Sequence, residues 1–411
     1  MSYKYYMALT SQLPFCSVPF RIDTYSKCQY SCAYCFSRAR GGAAGSNGNQ
    51  EINPEALRKR LVRASNGNCR GAVDQFLARR IPLQLGGMND PFSPWEEKRE
   101  RTYQTLCVLT EFDYPTILST KGTSLAESRY AEVLANGNFC VRVSVSLVDS
   151  LIVKDLEKGV PSVHDRLSAC AELASRNVPV SLRVQPVIPG YEKRIGEVVE
   201  EALCAGVKHI TAEYLKLPLE RSSRQSAFLE RTLPGIYERY RNWGAKRIGR
   251  ELVLPSSRKK DGLFEFRAAA REAGLSYGFA DNEFLHLNPF RSCCNGADLF
   301  LRDASFFDAN ILGMIKRQYN GMYIRFGLRE DEWLPTNSIF SHLNSNSRGS
   351  HQHLPPRERF VEFLRSKWNG SEIRGGPGDY WGVVDSGEVD QGGNKVFMAE
   401  SDARTTDGIM S

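Results

Sequence analysis

The run Ser26-Lys27-Cys28-Gln29-Tyr30-Ser31-Cys32-Ala33-Tyr34-Cys35-Phe36 sets three cysteines in C-x3-C-x2-C spacing, with an aromatic directly before the last. Three thiolates on one short loop hold three irons of a [4Fe–4S] cluster and leave the fourth iron open to a small molecule. A zinc site or an electron-transfer cluster wants a fourth cysteine close by. The next one, Cys69, is too far along the chain to share the loop. The plainer alternative is three unrelated buried thiols, since free Cys is among the most buried residue types.

Around this loop the chain alternates strand-like and helix-like segments. Strands are expected over 18–25, 81–86, 114–120, 140–147, 179–186 and 208–216. Helices are expected over 54–80 (interrupted at 66–68), 96–110, 124–136, 163–176 and 193–205. Six such repeats imply an α/β fold with a parallel sheet and helical crossovers. Two strands carry one polar face each. Arg142, Ser144 and Ser146 alternate with valines, and Ser181, Arg183 and Gln185 alternate with Val180, Leu182 and Val184. A strand packed between helices and a filled core is apolar on both faces, so the polar faces point to a lumen that binds something polar. An open doubly wound sheet is the alternative architecture.

The 411 residues are enough for one large domain with appendages, and the composition is that of a soluble globular protein. No apolar run is long enough to span a bilayer, and the N-terminus lacks the apolar core of a signal peptide. An odd count of eleven cysteines fits reduced thiols and a cytoplasmic setting. The net charge of +7 is uneven. Residues 221–260 hold eleven Arg/Lys against three Glu, whereas 370–411 hold three against eight Asp/Glu. Phe228, Tyr237, Tyr240 and Trp243 lie among the cations. Cations for phosphates with rings for bases suit a nucleic-acid surface; a solvated helix with its rings in the core is the competing reading.

The cysteine spacing resembles the signature of the radical S-adenosylmethionine (SAM) superfamily. Asn89-Asp90-Pro91-Phe92-Ser93-Pro94, Ser119-Thr120-Lys121-Gly122, and the stretch from Ser144-Val145-Ser146 to Val187-Ile188-Pro189-Gly190 look like its spore-photoproduct-lyase-like branch. The match runs over about residues 18–218. It implies a partial (β/α)6 barrel, a [4Fe–4S] cluster on Cys28, Cys32 and Cys35, and SAM chelated by the open iron. One electron then cleaves SAM to methionine and a 5′-deoxyadenosyl radical, which takes a hydrogen atom from the substrate. A flavodoxin or ferredoxin would supply the electron. The resemblance also implies that Gly86 and Gly87, with Tyr34 beside the cluster, flank SAM, and that Ile188 touches adenine; Met88 replaces the usual acidic residue, Pro186 a glycine and Lys193 a glutamate.

Ser144, Ser146, Arg166 and Arg183 are further candidates for the carboxylate or ribose of SAM, because a guanidinium grips a carboxylate bidentately. Lys121 is expected to reach SAM or substrate. Cys140 is expected as a hydrogen-atom donor, or else as a small buried side chain. Cys293 and Cys294 would need Cys16 or His286 to bind a further metal. The expected organisation is an N-terminal extension (1–15), the barrel (16–218), a basic helical extension (219–300) and a C-terminal α+β region (301–411) with an acidic Gly-rich tail. The expected activity is radical chemistry of lyase or isomerase type on a nucleic-acid base or nucleotide. The alternatives are a radical SAM enzyme that modifies peptides and a non-catalytic iron–sulfur protein that binds nucleic acid.

Overall fold

The computed structural model describes residues 3, 6–39, 48–147, 150–219, 223–289, 293–343, 345–370 and 375–400. Eight strands form its main sheet: β1 (Met7–Leu9), β2 (Phe20–Ile22), β3 (Leu83–Leu85), β4 (Thr116–Thr120), β5 (Phe139–Leu147), β6 (Val180–Val187), β7 (His209–Tyr214) and β8 (Ser276–Phe279). Their order in the sheet is their order in the chain. β1 is antiparallel to β2, and every later neighbour pair is parallel. A doubly wound sheet reverses its strand order at a switch point. Here there is no reversal, so successive crossovers of one hand stack on one face and the sheet curls as a partial barrel. The six expected parallel strands are present. A seventh, β8, comes from within 219–300, and β1 comes from the N-terminal stretch.

The strand sequences explain which face is which. Val141, Val143 and Val145, Leu182 and Val184, and Ile210 and Ala212 belong to the main apolar core with Leu134, Leu173 and Val199 of the crossover helices. Each such side chain contributes about 1.5–3 kcal/mol on burial. The opposite face lines the lumen in register layers. Ser119, Arg142, Ser181, His209 and Ser276 are successive partners across five strands. Ser144, Arg183, Thr211 and Gly278 form the layer above. A separate small apolar cluster, Val18, Ile117, Cys140, Cys293, Ala297 and Leu301, closes the lumen floor.

A loop from the second half of the chain plugs that floor. Thr211 Oγ1 donates to the Cys294 carbonyl at 2.8 Å, and His209 Nε2 lies 2.9 Å from the same oxygen. Gly278 has to be glycine here, because a Cβ would stand 2.2 Å from that carbonyl oxygen.

Beyond the barrel, the basic stretch, expected as a helical extension, divides. The helices Ser223–Thr232 and Ile236–Asn242 break at Pro234-Gly235, and a hairpin of Lys246–Ile248 and Glu251–Val253 follows. Gly235, Gly244 and Gly249 all adopt positive φ, which ends a helix and turns the chain. The C-terminal region is α+β, with the helices Ile311–Gln318 and Pro356–Trp368 and a hairpin of Val383–Val389 and Lys395–Ala399. Among the described residues no helix is long and apolar enough to cross a membrane.

His209 yields a pH test of the plugged floor. Burial pushes its imidazole down to about 4 from the ordinary 6.5, against the pull of the Cys294 carbonyl. Its stabilising contribution is therefore complete above pH 6.5 and is lost as pH falls toward 4, up to about 3 kcal/mol. His209→Gln should flatten the decline of unfolding free energy in that window. An unchanged slope would mean that His209 is not held neutral in the fold.

Candidate functional site

The site is built at the carboxyl ends of the strands. Gly86 ends β3 at φ +86°, where a Cβ would come within 2.4 Å of the Ser119 carbonyl oxygen. The chain turns sharply there, and two buried carboxylates hold the turn. Asp23 accepts from the amides of Met88 (2.8 Å) and Asn89 (3.3 Å). Asp90 accepts from the Phe92 amide (2.9 Å), the Thr120 hydroxyl (2.6 Å) and the Lys121 amide (2.6 Å). Gly87 packs against Arg21, with room for a Cβ only at 3.1 Å.

The cysteine loop sits over these turns and is anchored from several sides. Ser31–Cys32 pairs with Glu157–Lys158 as a two-residue antiparallel ladder. The Tyr30 hydroxyl donates to the Phe92 carbonyl at 2.8 Å, the Ala33 amide to Leu156 at 2.8 Å, and Gln225 Nε2 to the Cys35 carbonyl at 3.0 Å. Burial pushes the Cys28 thiol up to about 12, with the Asp90 charge adding to it. Burial also raises Cys32, against the opposing charge of Lys121. Both thiols feel each other and Cys35, so the three share one electrostatic neighbourhood. Among the described residues no three Cys, His, Asp or Glu side chains already stand as a metal-binding group, so a cluster would draw these sulfurs together. The donor set itself fits: three thiols, one anchored loop, and a buried setting in which a metal's own charge is what deprotonates them.

Beside the loop, four of the residues expected in the site converge on a carboxylate that the sequence did not reveal. Glu157 accepts from Ser146 Oγ (2.6 Å), Lys121 Nζ (2.9 Å), the Arg166 guanidinium (2.6 Å) and the Tyr34 hydroxyl. Burial alone would push its carboxyl up; Lys121 and Arg166, with the Ser146 and Tyr34 hydrogen bonds, hold it down at about 2. Lys121 Nζ also lies 5.6 Å from the centre of the Tyr34 ring. Arg166 gets there from the first turn of the helix Val163–Ser175. Ser162 caps that helix, its hydroxyl accepting from the Asp165 amide at 3.1 Å, and the Asp165 carboxylate reciprocates. Arg166 also donates to the Ser144 carbonyl at 2.5 Å and has no exposed surface. It orients Glu157 and is not open to an incoming carboxylate.

Below this level Arg183 is ion-paired with Glu213 and hydrogen-bonded to Gln185. Glu213 is held at about 2 by Lys216 and Arg183 against its burial. Ser144, the register partner of Arg183, faces the same lumen. Ile188 packs in the main apolar core, almost fully buried.

Cys140 departs from expectation. It faces the lumen but belongs to the apolar floor cluster, and burial pushes its thiol up to about 12. It lies six residues before Ser146 on β5, about 20 Å along the strand. The fold thus gives Cys140 the small buried side chain of the alternative expectation, at the far end of β5 from Ser146. Cys293, buried, and Cys16, half-buried, lie near Cys294 on the same floor, and His286 packs against Tyr319 and Tyr380 instead.

The basic stretch also divides. Tyr237 and Tyr240 are buried and donate to the carbonyls of Pro218 (2.8 Å) and Leu215 (2.7 Å), and Phe228 and Trp243 pack on the core. The two tyrosines are therefore not available to stack on bases, whereas Phe228 and Trp243 are half-buried, with Lys158 and Arg231 over the first ring and Arg258 over the second. Arg239, Arg241, Lys246 and Arg247 are exposed. Arg221 lies outside the described residues.

No protein-family model matches the chain. Its curated relatives include uncharacterized proteins of Mycobacterium tuberculosis and Mycobacterium bovis, each 24% identical over 232 residues that span 55% of this chain and 67% of theirs. Similar solved structures include spore photoproduct lyase complexed with dinucleoside spore photoproduct, at 16% identity and a TM-score of 0.49, covering 66% of this chain and 78% of that one. They also include SuiB of Streptococcus suis bound to S-adenosylmethionine, at 13% identity and a TM-score of 0.42, covering 67% of this chain and 53% of that one.

Glu157→Gln tests the convergence. The substitution leaves Lys121 and Arg166 buried without their shared counter-charge. Breaking a buried pair in this way should cost about 3–5 kcal/mol of unfolding free energy. A loss below about 1 kcal/mol in a denaturant titration would show these charges to be effectively solvated.

Proposed function

We propose that this chain is a radical SAM enzyme whose cysteine loop carries a [4Fe–4S] cluster and whose lumen receives a nucleotide or a nucleic-acid base. The observation that carries the proposal is the anchored loop of Cys28, Cys32 and Cys35 at the carboxyl-end rim of a singly wound barrel with a polar, charged lumen below it. When bound, the cluster and SAM supply one-electron chemistry able to remove hydrogen from an unactivated carbon.

The chain's own residues have separable tasks. Cys28, Cys32 and Cys35 hold the cluster. The backbone after Gly86, fixed by Asp23 and Asp90, offers polar groups at close range to the cofactor. Lys121 is held beside Cys32 by Glu157 and presents an ammonium to a carboxylate entering there. Tyr34 and Ser146 keep that ammonium in place through the same carboxylate. Arg183 joins only by sharing its guanidinium with Glu213.

The nucleic-acid part of the proposal rests on position and charge. The strand Leu217–Pro218, just past the carboxyl end of β7, pairs with Glu251–Val253 of the basic hairpin. The exposed cations therefore flank the rim that carries the cysteine loop, and the preceding helix Ser223–Thr232 touches that loop through Gln225. With Tyr237 and Tyr240 in the core and Phe228 and Trp243 half-buried under arginines, this surface suits a phosphate backbone better than base stacking.

Two experiments test the proposal. Replacing Cys28, Cys32 or Cys35 by Ala should remove the cluster absorbance after anaerobic reconstitution and abolish SAM cleavage, because two thiolates do not hold the cluster. A full iron content in Cys32→Ala would sink the assignment.

The second experiment concerns salt. DNA or RNA affinity should fall with a log–log slope of roughly −0.7 to −0.9 per phosphate neutralised. The pair Arg241→Glu and Arg247→Glu should flatten that slope. Absence of nucleic-acid binding at low salt, with SAM turnover stimulated by a peptide, would transfer the substrate to the peptide class.

A further inference from the structure

Arg142 sits on the lumen layer that joins Ser119, Arg142, Ser181, His209 and Ser276. Its side chain is 7% exposed. One guanidinium nitrogen donates to Ser119 Oγ at 2.7 Å and another to Asn295 Oδ1, a neutral acceptor. Arg183, one layer up, also approaches Asn295 Oδ1, at 3.4 Å. The titratable groups acting on Arg142 include Arg183, which repels it, His209, and the thiols of Cys294, Cys293, Cys140 and Cys16. Arg183 has Glu213 as its carboxylate, whereas among the described residues no carboxylate forms an ion pair with Arg142.

Two buried polar atoms on this layer have no hydrogen-bond partner among the described residues: Arg142 Nε and Ser181 Oγ. They belong to register partners on adjacent strands, so they stand side by side on the lumen face. A buried cation without a counter-ion is costly, and a buried donor without an acceptor adds to that cost. A lone amide oxygen shared between two guanidinium groups is a poor substitute for an anion.

We propose that Arg142 and Ser181, with Arg183 above them, bind an oxyanion of the substrate at the lumen floor. The chemistry they recognise is a phosphate or carboxylate oxygen: the guanidinium offers Nε together with its terminal nitrogens, and the serine adds a hydroxyl donor. Ser146, beside the cysteine loop, stands four residues further along β5, about 13 Å up the strand. A substrate anchored at Arg142 therefore reaches from the floor toward the rim with its anionic end deepest. This orientation rests on the function proposed above, and it selects a single small anionic substrate, or a flipped-out nucleotide, over a duplex lying across the rim.

The test uses the full-length protein before cluster reconstitution, so that it reads anion binding without turnover. Inorganic phosphate and acetate are the probes, in calorimetry and thermal melting. One or both should bind the wild type and raise its melting temperature. Tighter phosphate binding assigns a nucleotide-type anion; tighter acetate binding assigns a carboxylate. Arg142→Gln should weaken the preferred anion by about tenfold or more, and Ser181→Ala by a smaller factor. If Arg142→Gln does not fold, Arg142→Lys and Ser181→Ala carry the comparison, each expected weaker than wild type. Failure of both anions to bind the wild type overturns the inference, as does wild-type affinity in the variants that fold. S-adenosylmethionine, titrated into the cluster-reconstituted protein, is the control probe: loss of its binding in Arg142→Gln with phosphate and acetate unaffected would give the floor to the cofactor. Failure here with SAM cleavage intact refutes only the anion site. Absence of a cluster with anion binding intact refutes only the function proposed above.

Discussion

The buried carboxylate of Glu157 is the constraint on which the rim of this barrel depends. It gathers Lys121 from the end of β4, Ser146 from β5, Arg166 from a capped helix and Tyr34 from the cysteine loop. A carboxylate this deep is tolerated only because its partners hold it ionised. The same residue pairs its backbone with Cys32. One side chain therefore couples the cysteine loop, two strand ends and a crossover helix into a single rigid unit. Asp23 and Asp90 do the same for the turns after β2 and β3 by accepting backbone amides that would otherwise lie unpaired in the interior. All three carboxylates are structural in the immediate sense. Their consequence is functional, because they fix what the three thiols and Lys121 face.

The lumen below the rim shows how the two halves of the chain cooperate. β5, β6 and β7 supply Arg142, Arg183, His209 and Glu213, and the loop around Cys294 and Asn295 closes the floor against them. Gly278 and Gly296 make that approach possible, since a Cβ on either would meet the Cys294 carbonyl or the His209 ring. The pair Cys293-Cys294, a candidate for a second metal on spacing alone, thus has a packing role: a carbonyl and an adjoining Asn side chain engage the lumen layer. Charge inside the barrel is organised as a ladder, with Glu157 at the top, Glu213 in the middle, and Arg142 at the bottom without an ion-paired carboxylate among the described residues.

The basic segment illustrates a general limit of composition. Its cations and rings alternate closely in the chain, which read as a mixed phosphate-and-base surface. Folded as two helices and a hairpin, it sorts them: the two tyrosines go to the core with their hydroxyls satisfied by carbonyls, Phe228 and Trp243 lie half-buried against it, and Arg239, Arg241, Lys246 and Arg247 go to solvent. Residues three and four apart share a helix face, and the Pro234-Gly235 break changes which residues those are. Linear proximity between a ring and an arginine says little about whether both meet the same ligand.

The sequence alone determined the α/β class, the parallel strands, the polar lumen faces of β5 and β6, and the cysteine loop, because each is written in a local period or spacing. Alternation of two residues sets the face of a strand whatever its neighbours are. It also singled out Tyr34, Lys121, Ser146 and Arg166, though not their common partner. Only the tertiary structure decided that Glu157, in a segment without a motif, lies where these four meet, and that Cys140 sits at the floor and not beside the loop. It alone brought the Asn295 loop across more than a hundred residues against Arg142 and Arg183 to complete the barrel interior. These outcomes depend on strand order, register and depth along the barrel axis. Such quantities are set by how distant segments pack, and no window of sequence contains them.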